Sequence, residues 1–209
     1  MAIEKIQAGY TRFREGYYKE NKEALLKLST DGQFPKVAII SCSDSRVEPS
    51  IILDCEPGNL FVIRNVANLV PICEGNESYH GVSAALEYAV TVLEVEFIIV
   101  LGHTQCGGIR SLIDTPSLTK ANTFISKWLR QLEDVRADIL SDKRFTDIES
   151  RYSCCEVRGI TQSLDHLMTF PWIEERVNSG KLSLHGWRYN LETAELCTVD
   201  SKTGELTKM

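Results

Sequence analysis

Two short apolar runs, Val37-Ala38-Ile39-Ile40 and Phe97-Ile98-Ile99-Val100-Leu101, limit what this chain can become more than any other feature. Each is rich in β-branched residues and bounded by polar ones, so each reads as a buried strand. A third run, Leu60-Phe61-Val62-Ile63, lies between them. Residues 78 to 94 place Val82, Leu86, Ala89, Val90 and Leu93 on one helical face and feed directly into Phe97. Strand, helix and strand in that order imply a parallel sheet with right-handed crossovers. The first run empties into Cys42-Ser43-Asp44-Ser45-Arg46 and the second into Gly102-His103-Thr104-Gln105-Cys106-Gly107-Gly108. If the two strands are neighbours, Cys42, His103 and Cys106 meet beyond the carboxyl ends of the strands, where open α/β sheets bind ligands.

The flanking segments complete the expected fold. Ile3, Ile6, Tyr10, Phe13 and Tyr17 recur at spacings of three and four, a narrow helical stripe that suits packing on a partner or on the chain's own core. Lys22 to Leu28 continues as helix to the Asp31-Gly32 break, and Glu48-Pro49 starts a short helix ended by Pro57-Gly58. Gly107-Gly108 opens another helix, which places Cys106 at a helix amino terminus. Two longer helices follow, with Phe124, Ile125, Trp128, Leu129, Leu132 and Val135 as one core stripe and Val157, Ile160, Leu164, Leu167 and Met168 as the other. Strands at Leu182 to Tyr189 and Glu195 to Val199 are too close for a crossover and must be antiparallel. The expected fold is therefore α/β: a central, mainly parallel sheet with an antiparallel edge strand, flanked by helices. One domain over residues 1–209 would hold an N-terminal helical arm (1–30) and the α/β core (36–200).

Composition narrows the function. With 209 residues, 43% of them apolar, the chain can bury a sizeable core, and its net charge of −6 comes without the clustered basic face that nucleic acid requires. No apolar stretch approaches the roughly 18 residues of a membrane span. The opening Met1-Ala2-Ile3-Glu4-Lys5 lacks a secretory or transit pattern, so the expected location is cytoplasmic. Seven cysteines, an odd number, do not resemble a disulfide framework. Cys55, Cys73, Cys154, Cys155 and Cys197 then read as small buried hydrophobes, and only Cys42 and Cys106 have company that suggests more.

That company is metal-like. Two thiols and an imidazole are three of the four ligands of a tetrahedral zinc site. Singly the fragments say little, since a histidine after a strand is commonly a hydrogen-bonded loop residue and Asp44 with Arg46 could be an ion pair bracing the strand end. Cys154, Cys155 and His166 fall inside one helix without a fourth partner.

Cys42-Ser43-Asp44-Ser45-Arg46, Glu56-Pro57-Gly58, Arg64-Asn65-Val66-Ala67-Asn68 and Gly102-His103-x-x-Cys106-Gly107-Gly108, in that order, resemble the β-class carbonic anhydrases, more loosely so at His185-Gly186-Trp187-x-Tyr189. The resemblance implies one zinc per chain on Cys42, His103 and Cys106, with Asp44 and Arg46 as a catalytic pair. It implies hydration of carbon dioxide to bicarbonate and a proton by zinc-bound hydroxide. It also implies a substrate pocket of Gln33, Phe61, Val66, Tyr88 and Gly107, and a dimer or tetramer with the active site at a subunit boundary. No partner among nucleic acids or membranes is expected. A hydrolase of carbon disulfide or carbonyl sulfide on the same scaffold, or a structural zinc protein with Asp44 as fourth ligand, remains open at this stage. Two features separate this chain from subgroups of the family. Plant-type members have a histidine where Val92 stands, which makes His80 the candidate proton shuttle. Bicarbonate-regulated members have a tryptophan where Ile39 stands, beside an arginine and a tyrosine matched by Arg64 and Tyr189, so the plant-type state with Asp44 on Arg46 is expected.

Overall fold

The computed structural model describes residues 2–75, 79–115 and 120–209. Among these residues six strands form one sheet in the order β2-β1-β3-β4-β5-β6. β1 (Val37–Cys42), β2 (Leu60–Asn65), β3 (Phe97–His103) and β4 (Ser183–Tyr189) run parallel, and β5 (Leu196–Val199) and β6 (Leu206–Lys208) return antiparallel. The two apolar runs are indeed neighbours, paired from Val37 with Phe97 to Ser41 with Leu101. Their lack of polar alternation has its cause here, since β1 is buried beyond Val37 and β3 beyond Phe97. The sheet extends one strand further than expected. Its antiparallel edge is β6, three exposed residues, rather than the segment ending at Val199.

The helices are α1 (Ala2–Glu15), α2 (Tyr17–Glu20), α3 (Lys22–Asp31), α4 (Pro49–Ile52), α5 (Gly81–Glu87), α6 (Gly107–Asp114), α7 (Phe124–Leu129), α8 (Glu133–Ser141), α9 (Ile148–Leu167) and α10 (Pro171–Asn178). Gly32, at φ +89°, ends α3 in a conformation that L side chains rarely adopt. Pro49 sits in the first turn of α4, where its missing N–H costs nothing. α5 begins at Gly81 and passes into a π turn over Tyr88–Val92; residue 78, where the helix was expected to start, lies outside the described residues. α10, begun by Pro171, has no counterpart in the sequence expectation.

The helix expected over 124 to 135 breaks at Arg130–Leu132, and its stripe is core only in its second half. Leu129, Leu132 and Val135 are buried, whereas Phe124 is 97% exposed and the Trp128 indole donates to the Val66 carbonyl at 2.8 Å. Of the cysteines expected to be buried, Cys155 is, whereas Cys55, Cys154 and Cys197 are half-buried and Cys73 is exposed. Along α1, Ile3, Ile6, Tyr10 and Phe13 all face solvent, so this stripe does not pack on the chain's own core. No described helix is long and apolar enough to cross a membrane.

α9 locks the parallel strands from one face. Its Ile160, fully buried, fits between two glycines, one on each of two neighbouring strands. A Cβ added at Gly102 would lie 2.6 Å from Ile160 Cδ1, and one at Gly186 2.8 Å from Ile160 Cγ2. The absent side chains let the helix approach close to the end of β3, beside His103.

Candidate metal centre

Cys42 is the last residue of β1 and His103 the last of β3, so the parallel pairing alone brings them together. Cys106 follows a tight loop in which Gln105 takes a left-handed φ of 59°, and it caps α6. The Cys42 and Cys106 Sγ atoms are 3.9 Å apart, and one donor atom from each of Cys42, His103 and Cys106 falls within 4.8 Å of the others. All three residues are buried.

The imidazole is oriented for a ligand's role. Its Nδ1 lies 2.8 Å from the Thr104 carbonyl, which can only accept, so Nδ1 carries the proton and Nε2 the lone pair. Nε2 is buried, and the described residues give it no hydrogen-bond partner. An orphaned buried nitrogen beside two thiols, on a ring fixed through its other nitrogen, is the arrangement a metal satisfies. A donor set of two sulfurs and one nitrogen suits zinc or a similarly soft divalent ion and leaves a fourth position open.

The electrostatics agree. The close contact with the Cys106 sulfur, against the opposing effect of burial, holds the Cys42 thiol well below its ordinary range, with His103 adding to the fall. Cys106 is pushed up by the same contact and by its own burial. Burial would lower the His103 imidazole, but the Cys42 thiolate outweighs it and the net shift is upward.

Asp44 stands outside this donor cluster, clamped by Arg46. The guanidinium donates from Nε to Oδ1 at 2.9 Å and from Nη2 to Oδ2 at 2.7 Å, and the Arg46 backbone N–H reaches Oδ1 at 3.0 Å. These contacts hold the Asp44 carboxyl well below the usual carboxylate range, chiefly through the Arg46 side chain. Arg46 Nη2 also donates to the Gln105 carbonyl at 3.1 Å, which joins the two ligand-bearing loops.

Arg64 does more than its sequence position suggested. It donates to the carbonyls of Cys42 (3.1 and 2.9 Å), Asp44 (2.8 Å) and Val47 (2.5 Å) and to Glu48 Oε2 (2.7 Å), and so shapes the whole 42–48 loop. With its donors spent in this way, little of the guanidinium is left for an anion. Ile39 is fully buried in an apolar cluster that includes Val47, Leu101, Trp187 and Tyr189.

The structure divides the expected pocket residues. Val66 and Gly107 lie at the metal end: Val66 is packed against the start of α6, where a Cβ on Gly108 would come within 2.9 Å of Val66 Cγ1. Gln33, Phe61 and Tyr88 are not brought there by their own chain. Phe61 pairs with Ala38, four residues before Cys42 and so roughly 13 Å up the strand, its ring 6.0 Å from that of Tyr88. Gln33 precedes β1 altogether. His80 lines a separate cavity of about 300 Å³ with Cys73, Glu87, Phe170 and Trp172. Sequence reasoning missed one further group. The buried Glu156 of α9 accepts the Cys106 backbone N–H and is ion-paired to Arg188; its helical spacing from Tyr152 and Ile160 was the available signal.

The family profile for carbonic anhydrase matches residues 37–196 of this chain. The chain is 36% identical over 198 residues to a carbonic anhydrase of Synechocystis sp., covering 95% of this chain and 71% of that protein. It is 36% identical over 207 residues to β carbonic anhydrase 3 of Arabidopsis thaliana, covering 97% and 79%. Among solved structures it superposes on the β-carbonic anhydrase CcaA with a TM-score of 0.91 at 35% identity, over 100% of this chain and 92% of that one. A tetrameric β-carbonic anhydrase of Sordaria macrospora gives a TM-score of 0.83 at 26% identity, over 99% and 98%.

Proposed function

This chain belongs to the β-class carbonic anhydrases and catalyses the reversible hydration of carbon dioxide, and we propose that it does so with one zinc ion held by Cys42, His103 and Cys106. The observation that carries the metal assignment is the buried, unpartnered Nε2 of His103 beside the paired thiols. Bound there, zinc supplies the Lewis acidity that brings the pKa of a water ligand towards neutrality, an effect the three-histidine carbonic anhydrases exemplify.

The chain's own residues supply the rest. Two thiolates and a neutral imidazole balance a divalent charge, which weakens the ion as an acid and leaves work for a neighbouring acceptor. Asp44, kept ionised by Arg46, is acceptor-only and can hold the O–H of the attacking water so that its lone pair points at carbon dioxide. The Val66 side chain and the open backbone at Gly107 border the space for a small uncharged substrate.

Gln33, Phe61 and Tyr88 complete this pocket from a second copy of the chain. Their position far from Cys42 in their own chain, and the solvent-facing stripe of α1, support such an assembly. The site belongs to the open, plant-like state: Asp44 is on Arg46, Arg64 is spent on carbonyls, and Ile39 offers no donor to an anion. Metal analysis combined with stopped-flow carbon dioxide hydration tests this reading. About one zinc per chain, and a rate lost to a chelator and restored by zinc, are expected. Full activity in metal-free protein would refute it.

A further inference from the structure

Glu156 is a carboxylate in the interior, its side chain 3% exposed. An ionised group is tolerated there only with a counter-charge and hydrogen bonds. Arg188 of β4 provides them: Nη2 donates to Oε2 at 2.6 Å and to the Ser153 hydroxyl at 3.1 Å. The other carboxylate oxygen, Oε1, accepts the backbone N–H of Cys106 at 3.4 Å. That N–H belongs to the residue capping α6 and has no acceptor within the helix. Arg188 in turn pairs across the sheet with Gly102, the residue before His103. A single ion pair thus joins α9, β4 and the residue that carries one thiol of the metal centre. A buried ion pair stabilises a fold no better than well-packed apolar side chains, so stability alone does not account for its placement.

We propose that Glu156 and Arg188 are positioning residues for the metal, fixing the Cys106 backbone so that its sulfur stays in register with Cys42 and His103. The inference rests on the metal assignment above. Arg188 fixes the Glu156 carboxylate, and Oε1 fixes the Cys106 N–H. When the counter-ion is removed, only the long bond from the Cys106 N–H holds the buried carboxylate, and the Cys106 loop loses its fixed anchor. Beside the pair is a cavity of about 210 Å³, lined by Thr104, Gln105, Tyr152 and Asn190 among others, which leaves room for altered side chains at Arg188.

The test measures zinc affinity by competition with a chromogenic chelator, and the urea stability of the metal-free protein, for the parent, Arg188→Gln, Arg188→Lys and Glu156→Gln. Arg188→Gln and Glu156→Gln should bind zinc about 10-fold or more weakly, the range seen when outer partners of a metal site are lost. Arg188→Lys keeps the counter-charge and should stay within about threefold of the parent. The double Glu156→Gln, Arg188→Gln variant should be no weaker than the weaker single, since the two act as one unit. Zinc affinities equal to the parent's in both Gln variants, with only the metal-free stability lowered, would reduce the pair to a structural contact and overturn the proposal. So would Arg188→Lys falling as far as Arg188→Gln. If one Gln variant fails to fold, the zinc affinity of the other, set against the parent and Arg188→Lys, decides. A parent that binds no zinc would refute the metal assignment itself, and the proposal with it.

Discussion

Replacing Gly102 by alanine puts a methyl group into the tightest contact beneath the metal centre. The new Cβ would lie 2.6 Å from Cδ1 and 2.8 Å from Cγ1 of Ile160, so turning the terminal methyl away relieves only part of the clash. Ile160 is fully buried on a 20-residue helix and has no room to withdraw. Overpacking of this kind costs about 1–3 kcal/mol, offset by about 0.4–1 kcal/mol from the less flexible unfolded chain, for a net loss of about 0–2.6 kcal/mol, centred on about 1.3 kcal/mol. Ile160→Val deletes the carbon at 2.6 Å and keeps a γ-methyl towards Gly186; alone it costs about 0.5–1.5 kcal/mol. Together the substitutions should cost less than their sum by about 1 kcal/mol, well outside the roughly 0.5 kcal/mol scatter of independent sites. Urea unfolding of the four proteins, chelated and at one protein concentration, measures this coupling. Additivity within about 0.5 kcal/mol would show that the α9 contact does not constrain the end of β3.

Cys42→Ser, His103→Ala and Cys106→Ser should each abolish stoichiometric zinc and most hydration activity, read by metal analysis and stopped flow; zinc retained in full by any of them would remove that residue from the ligand set. Asp44→Asn should keep the metal and lose most of the rate, and a near-normal turnover would leave Asp44 as a loop brace. Arg46 depresses the Asp44 carboxyl in the folded state, so the stabilisation is present above the unfolded carboxylate pKa of about 3.9 and lost only as pH falls through the lower folded value. Between about pH 5 and 8 Asp44 therefore stays ionised, and the acid fall in rate should be shallow and single-proton, with a steep multi-proton loss counting against the open state. In thiol titration at neutral pH, exposed Cys73 should react before Cys155, whose thiol burial pushes up to about 12; the reverse order would contradict the described packing. Removing residues 1–20 should weaken the assembly in sedimentation, because the α1 stripe has no cover in its own chain, and an unchanged dimer would assign the stripe no role.

The metal end of the sheet was legible because its determinants are local. Val37 to Ile40 and Phe97 to Leu101 are too apolar to lie anywhere but in a covered sheet, and each hands its ligands straight to the loop beyond. What resisted reading depends on distant partners. Trp128 belongs to an apolar stripe in sequence, yet its indole N–H finds the Val66 carbonyl, 62 residues away. The break at Arg130–Leu132 carries neither proline nor glycine to announce it. β6 is three residues long and exposed, so no hydrophobic pattern marks it. Arg64 could be matched to a family position, but its four acceptors on the 42–48 loop exist only after β2 has paired with β1.

The two thiols of the metal centre are separated by 64 residues of chain, and the strands that bring them together pair only after the intervening helix and β3 are in place. Closing so long a loop and pairing parallel strands are both slow steps, so this non-local contact, rather than ligand capture, is expected to set the folding rate. Because the donors converge only through that pairing, an ion would meet a site already built. A bond formed after the transition state leaves the folding rate alone and instead slows the return, so a bound metal would extend the lifetime of the folded enzyme without speeding its birth.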